Sequence, residues 1–244
     1  MEQEKKYLLQ SLYPPLMFII AIWVVWLGEM FSGVDLGFLG IYPLTAKGLI
    51  GIVTSPLIHS GISHLFANTV PLFVLGACLF YFYREIAYKT FVLIYLLTGI
   101  SVWLGGREAY HIGASGVVYG LASFLFFSGI FRRDIRLMAI TMFVTFLYGS
   151  MVWGVFPEMF PEKNISWESH LWGLVVGMVL AFYYRKEGPQ KKKYDWEDEE
   201  DEEDKMEAKI AAFEEYYKKT RPQKNDPDNI SVKYHLRDNQ EGEI

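Results

Sequence analysis

The chain has 244 residues, of which 52% are hydrophobic and 17% aromatic, with a formal net charge of −5. Its one cysteine, Cys78, lies in an apolar run, which excludes an internal disulfide framework and a cysteine-rich zinc site. Charge is unevenly spread: from Tyr194 onward 17 Asp and Glu stand against 8 Lys and Arg, a balance of −9, so residues 1–193 carry +4.

Residues 1–14 read as a short cytoplasmic N-terminal segment. The apolar stretch 15–31 has no small-residue cleavage site and is long enough to span a bilayer, so it predicts a first transmembrane helix, not a cleaved signal. The next segment, 32–63, carries Gly, Pro and scattered apolar residues and is too long for a plain turn; a partly inserted structure at the membrane interface is expected. Five further spans follow at 64–83, 88–104, 115–131, 135–153 and 169–184. The fold expected is an all-α membrane protein, a six-transmembrane-helix bundle over residues 15–186.

Residues 187–244 form a charged cytoplasmic tail, expected to be mostly disordered around its acidic run 197–204, with a short helix over 205–219. Lys and Arg are retained on the cytoplasmic side. Lys5, Lys6, Arg84, Lys89, Arg132, Arg133, Arg136 and Arg185 flank one side of the spans, whereas Lys47, Arg107 and Lys163 flank the other. Both termini are therefore expected in the cytoplasm, as an even number of spans requires. Six of the tryptophans fall near predicted span ends, where an interfacial belt explains them.

Polar side chains inside spans are costly and by default mark function. Here they are His64, Asn68, Ser115 and His170, each in the first turn or two of a span that starts from the outer face, so all four fall at one depth. Ser115 opens its helix within Gly113-Ala114-Ser115-Gly116. The flanking glycines leave room for a substrate backbone, and the first N–H groups of the helix have no intrahelical acceptor. A serine hydroxyl needs a base to become nucleophilic. His170 has the right depth, and Gly173 and Gly177 on its helix would let a neighbouring backbone come close. His64 and Asn68, four residues apart, share a helical face and can both donate to a developing oxyanion. No carboxylate has a comparable position, which favours a Ser-His dyad, with Tyr119 one turn after Ser115 packing on the imidazole.

These residues resemble the rhomboid proteases: Gly113-Ala114-Ser115-Gly116 is similar to their nucleophile motif, with Tyr119 at the matching offset. His64 and Asn68 resemble the family's oxyanion pair, with His59 five residues earlier also matching, and His170 with Gly173 and Gly177 resembles the base-bearing helix. The resemblance implies an intramembrane serine endopeptidase with no metal or organic cofactor. Its expected partners are single-span membrane protein substrates, cut near the outer boundary, and the lipid bilayer, with no nucleic acid. It further implies that the fifth span and the loop 154–168 act as gate and cap. The first loop of many members contains a Trp-Arg pair, and residues 32–63 contain neither residue. A bacterial cytoplasmic membrane is the expected location, with a cytoplasmic partner for the acidic tail. The competing readings are a catalytically silent, client-binding membrane protein and a small proton-coupled transporter using His64 and His170.

Overall fold

The computed structural model describes residues 2–133, 138–139, 141–143, 166–188 and 195–220. The chain divides into two compact units, Met1–Lys191 and Lys192–Ile244. In the first unit, α1 spans Glu2–Ser32, α2 Gly51–Thr54, α3 Ile62–Phe82, α4 Ala87–Gly105, α5 Ser115–Arg132 and α6 Trp167–Tyr183. Of these, α1, α3, α4 and α5 are long and apolar enough to cross a membrane. The predicted fifth span, 135–153, lies outside the described residues except at 138–139 and 141–143, as does most of the loop 154–168.

Burial ranks the helices. Two thirds of α5 is buried inside the bundle, against 22% of the most apolar 18-residue stretch of α1, so α5 is the central helix and α1 leaves most of its apolar surface for lipid. Around α5 the core is largely aliphatic with Phe124 among it: Leu65, Leu72, Leu75 and Leu79 of α3, Ile94 of α4 and Val176 and Leu180 of α6 cluster with Val117, Leu121, Phe124 and Leu125. The two helices closest to the chemistry are also short. At 18 and 17 residues, α5 and α6 measure about 27 and 26 Å, less than the roughly 30 Å of hydrocarbon. Their polar first turns are therefore sheltered by neighbouring protein.

Glycines set the distance between α5 and α6. A Cβ on Gly173 would lie 2.2 Å from the Gly116 carbonyl oxygen, and one on Gly177 would lie 2.2 Å from that of Gly120. These helices touch backbone to backbone, which only residues without side chains permit. Below this contact the Ser123 hydroxyl donates to the Leu174 carbonyl at 2.6 Å. At the far end, the buried Arg132 donates from Nη2 to the Tyr184 and Glu187 carbonyls at 2.6 Å each, with its guanidinium 4.9 Å from the Tyr83 ring centroid. It thereby ties the chain just past the end of α6 to α5, the Tyr184 carbonyl also accepting the Glu187 N–H at 2.9 Å.

The first loop is ordered without a Trp-Arg pair. It folds into 3-10 turns at Gly37–Leu39, Lys47–Leu49 and Ser55–Leu57 around α2 and hangs on one face of α4. The Tyr95 hydroxyl donates to the Val53 carbonyl, Gly99 lies under Ile52, and Trp103 Nε1 donates to the Thr45 carbonyl at 2.9 Å. Residues 95, 99 and 103 recur every four positions and so form one stripe along the helix. Across the loop, the Thr54 hydroxyl donates to the Leu39 carbonyl.

In the second unit Asp195–Thr220 is a 26-residue helix, α7, which contains the short helix expected over 205–219 and extends it back through the acidic run expected to be disordered. Glutamate is a good helix former, Lys218 and Lys219 in the last turn suit the helix dipole, and Lys219 pairs with Glu215 at 3.2 Å. Residues 221–244 lie outside the described residues.

Candidate active site

Ser115 stands at the first position of α5, reached through a turn that Gly113 makes at φ +107°, where a side chain would be strained. Space forbids one as well: a Cβ on Gly113 would lie 2.7 Å from the His64 ring. The loop that leads into Ser115 is pinned from two sides. The Gly113 N–H donates to the Ser55 carbonyl at 2.8 Å, and the Ala114 N–H donates to His59 Nε2 at 3.4 Å.

Across from it, α6 begins at Trp167, with Ser166 as its cap accepting from the Ser169 N–H. One turn on, His170 is buried, 7% exposed, and its Nε2 lies 2.9 Å from the half-buried Ser115 hydroxyl. The Tyr119 ring stacks on the imidazole with centroids 4.2 Å apart and planes 9° from parallel. The imidazole is thus held by a hydrogen bond at its edge and an aromatic face on its plane. Glu168, 2% exposed, is the one carboxylate in the first turn of α6. It pairs with Arg107 at 3.5 Å, and two positions along a helix point away from each other, so it does not form a third member with His170.

From α3, His64 lies against Gly113 and meets the Ser60 hydroxyl through Nδ1 at 3.2 Å. Asn68, buried, donates one amide hydrogen to the His64 carbonyl at 2.9 Å and has a second hydrogen to offer. Of the nine residues singled out in the sequence, Ser115, His170 and Tyr119 are brought into direct contact, His64 is set against Gly113, Gly116, Gly173 and Gly177 pack between α5 and α6, and Asn68 bonds to the His64 carbonyl within α3. Together they place a hydroxyl beside an imidazole and leave N–H donors at a helix start close by.

His59 has a larger part than its loop position suggested. Its ring lies 4.9 Å from that of His64, and burial, then the neighbouring His64, pushes its pKa from 6.5 down to about 4. To accept from Ala114 it must be neutral. The unfolded chain binds a proton here at higher pH than the folded one, so the stabilisation is full above pH 6.5 and is lost as the pH falls towards 4. The difference amounts to roughly 3 kcal/mol. Thermal unfolding in detergent should show the melting temperature falling across this window, with a clearly shallower fall in His59→Gln.

Sequence reasoning missed Gly120, whereas His111, an outer-loop histidine for which structural hydrogen bonds are the expectation, makes them. Gly120 is as closely packed as the glycines that were singled out, and His111, 2% exposed, bonds to Ser166. The spacing Gly116-x3-Gly120 signals the first; nothing local signals the partner of the second, which is 55 residues away.

A family model described as a Rhomboid domain matches residues 46–187. An uncharacterized protein of Mycobacterium tuberculosis is 35% identical over 173 residues, covering 68% of this chain and 72% of that one. An uncharacterized protein of Mycobacterium leprae is 32% identical over 176 residues, covering 68% of each. A Bacillus subtilis protein named "Putative rhomboid protease YdcA" is 29% identical over 137 residues, covering 54% of this chain and 65% of its own length.

Proposed function

Because this chain belongs to the rhomboid family, we propose that it is an intramembrane serine endopeptidase that cleaves single-span membrane proteins at or near the outer membrane boundary. The observation that carries the reading is the 2.9 Å contact between the Ser115 hydroxyl and His170 Nε2. The apolar helices and the family make it an integral membrane protein. We infer that both termini are cytoplasmic and the site faces outward, in a bacterial cytoplasmic membrane. Charge asymmetry supports the orientation and the bacterial relatives support the location.

The chemistry follows from the residues. Ser115 Oγ attacks the scissile carbonyl as His170 Nε2 takes its proton. The carbonyl oxygen, now negative, receives hydrogen bonds from the N–H groups that open α5, from the free amide hydrogen of Asn68 and from His64. The His170 imidazolium then protonates the leaving amine, and the acyl-enzyme remains on Ser115. Water, deprotonated by His170, attacks that ester, and the second tetrahedral intermediate expels Ser115 Oγ, which takes the proton back. Tyr119 keeps the imidazole in plane throughout. A cytoplasmic partner for the acidic tail is part of the same proposal.

Labelling of the solubilised protein with a fluorophosphonate tests the reading. Probe should map to Ser115 in the wild type and vanish in Ser115→Ala and in His170→Ala. A folded wild type that takes no probe would remove the activated serine and return the transporter and client-binding readings. The oxyanion assignment has its own signature. His64→Ala and Asn68→Ala should each lower kcat by about 10²-fold, with KM changed little, when cleavage of a single-span reporter is measured in liposomes.

A further inference from the structure

The dyad is not the only bond between the two segments that carry it. Four residues before Ser115 stands His111, and four before His170 stands Ser166; His111 Nδ1 and Ser166 Oγ lie 2.6 Å apart. Both pairs have the same chain separation, 55 residues, with the histidine and serine exchanged between the two sides. The proton positions follow. His111 Nε2 lies 3.1 Å from the Arg107 carbonyl, which can only accept, so Nε2 carries the hydrogen and Nδ1 accepts from the Ser166 hydroxyl. Ser166 Oγ in turn receives the Ser169 hydroxyl at 2.6 Å and the Ser169 N–H at 3.4 Å. His111 is itself held in a two-way backbone bridge with Ile41 of the first loop, at 2.8 and 3.0 Å. Burial lowers its pKa, which keeps Nδ1 available as an acceptor.

One hydrogen bond fixes the distance between Ser115 and His170 but not the rotation or tilt of the helix that brings the base. On the inner side the Gly116–Gly173 backbone contact restrains α6. On the outer side His111–Ser166 restrains it, beside the Arg107–Glu168 pair. His170 is only the fourth residue of α6, within the turn that frays when a cap is lost.

We propose that His111 and Ser166 are positioning residues for the base, an outer joint that holds the first turn of α6 against the nucleophile loop and couples the first outer loop to the dyad. The proposal rests on the protease reading and concerns residues that touch no reacting atom.

Its test compares substitutions that keep or remove one half of the joint, in the full-length protein, by kcat and KM on a single-span reporter and by the rate of fluorophosphonate labelling. Ser166→Ala and His111→Ala should lower kcat and labelling roughly tenfold to a hundredfold, with KM near wild type, and the double variant should cost little more than the worse single one. Ser166→Thr, which keeps hydroxyl and cap, should recover the rate. The gentler pair His111→Asn and His111→Gln decides the matter should the alanine variants fold poorly. The Asn amide falls where Nδ1 lies and should keep the rate, whereas the Gln amide falls where Nε2 lies and should lose it. Wild-type kcat in folded Ser166→Ala would overturn the proposal. So would equal losses in the Asn and Gln variants that follow melting temperature alone, since a purely structural role predicts that result. A wild type that never labels fails differently: it removes the protease reading beneath the proposal.

Discussion

A protein carrying His170→Ala should cleave a single-span reporter on the order of 10⁴-fold more slowly than wild type, and adding Ser115→Ala should slow it no further. The reason is the 2.9 Å contact between the two. If proton removal and nucleophilic attack are one event, either residue is useless without the other, and the two losses cannot add. Single-turnover cleavage in liposomes by the two single variants and the double variant gives the comparison. Losses that multiply would mean that Ser115 and His170 act in separate steps. Folding should be unaffected in the serine variant, because Ser115 loses one hydroxyl and α5 keeps its buried face on α3, α4 and α6.

The second large effect belongs to a residue with no functional group. Gly173→Ala would put a methyl group 2.2 Å from the Gly116 carbonyl oxygen, and no rotamer change can relieve a clash with backbone. The helices must part by about 1 Å, and a misplacement of that size costs around 10²-fold in rate, together with roughly 1–3 kcal/mol of overpacking strain. Gly177→Ala should behave alike for stability, since its methyl group would meet the Gly120 carbonyl oxygen at the same distance, but it lies farther from the chemistry. Gly28→Ala is the contrast. Nothing lies within 4 Å of a Cβ there, and an alanine in the interior of a helix should hold or slightly raise stability. Melting temperatures and reporter cleavage measured side by side would separate these cases; a well-folded, fully active Gly173→Ala would contradict the backbone contact.

The site was legible to the extent that it obeys rules of cost. Four polar groups at one depth in apolar helices stand out against lipid, and the spacings of His64 with Asn68 and of Gly173 with Gly177 place them on common faces. The span ends agreed within a few residues for α3, α4, α5 and α6. What stayed hidden was the long-range partner. Glu168 sits beside His170 in the chain, and only the fold reveals that it is buried against Arg107. His111 reads as a loop histidine with a structural hydrogen bond, but its partner Ser166 lies 55 residues away and only the fold supplies it. The first loop lacked a recognisable binding pattern because its anchors lie on α4, and the stripe of Tyr95, Gly99 and Trp103 reads as ordinary membrane helix. For α7 the helix expected over 205–219 is present but starts ten residues earlier, because dense charge argued for disorder while the helix propensity of glutamate argued for continuing it.

The glycine seam between α5 and α6 also says when the order of the site is established. Side chains that close around a substrate must surrender rotational freedom in every turnover, whereas two main chains in contact surrendered theirs once, as the protein folded. The seam is therefore stiff in the resting protein, and no molecule gains affinity by wedging it open. Covalent inhibitors of Ser115 should be sought among compounds that approach from the His64 and Asn68 side, and rigid ones should lose little by being rigid.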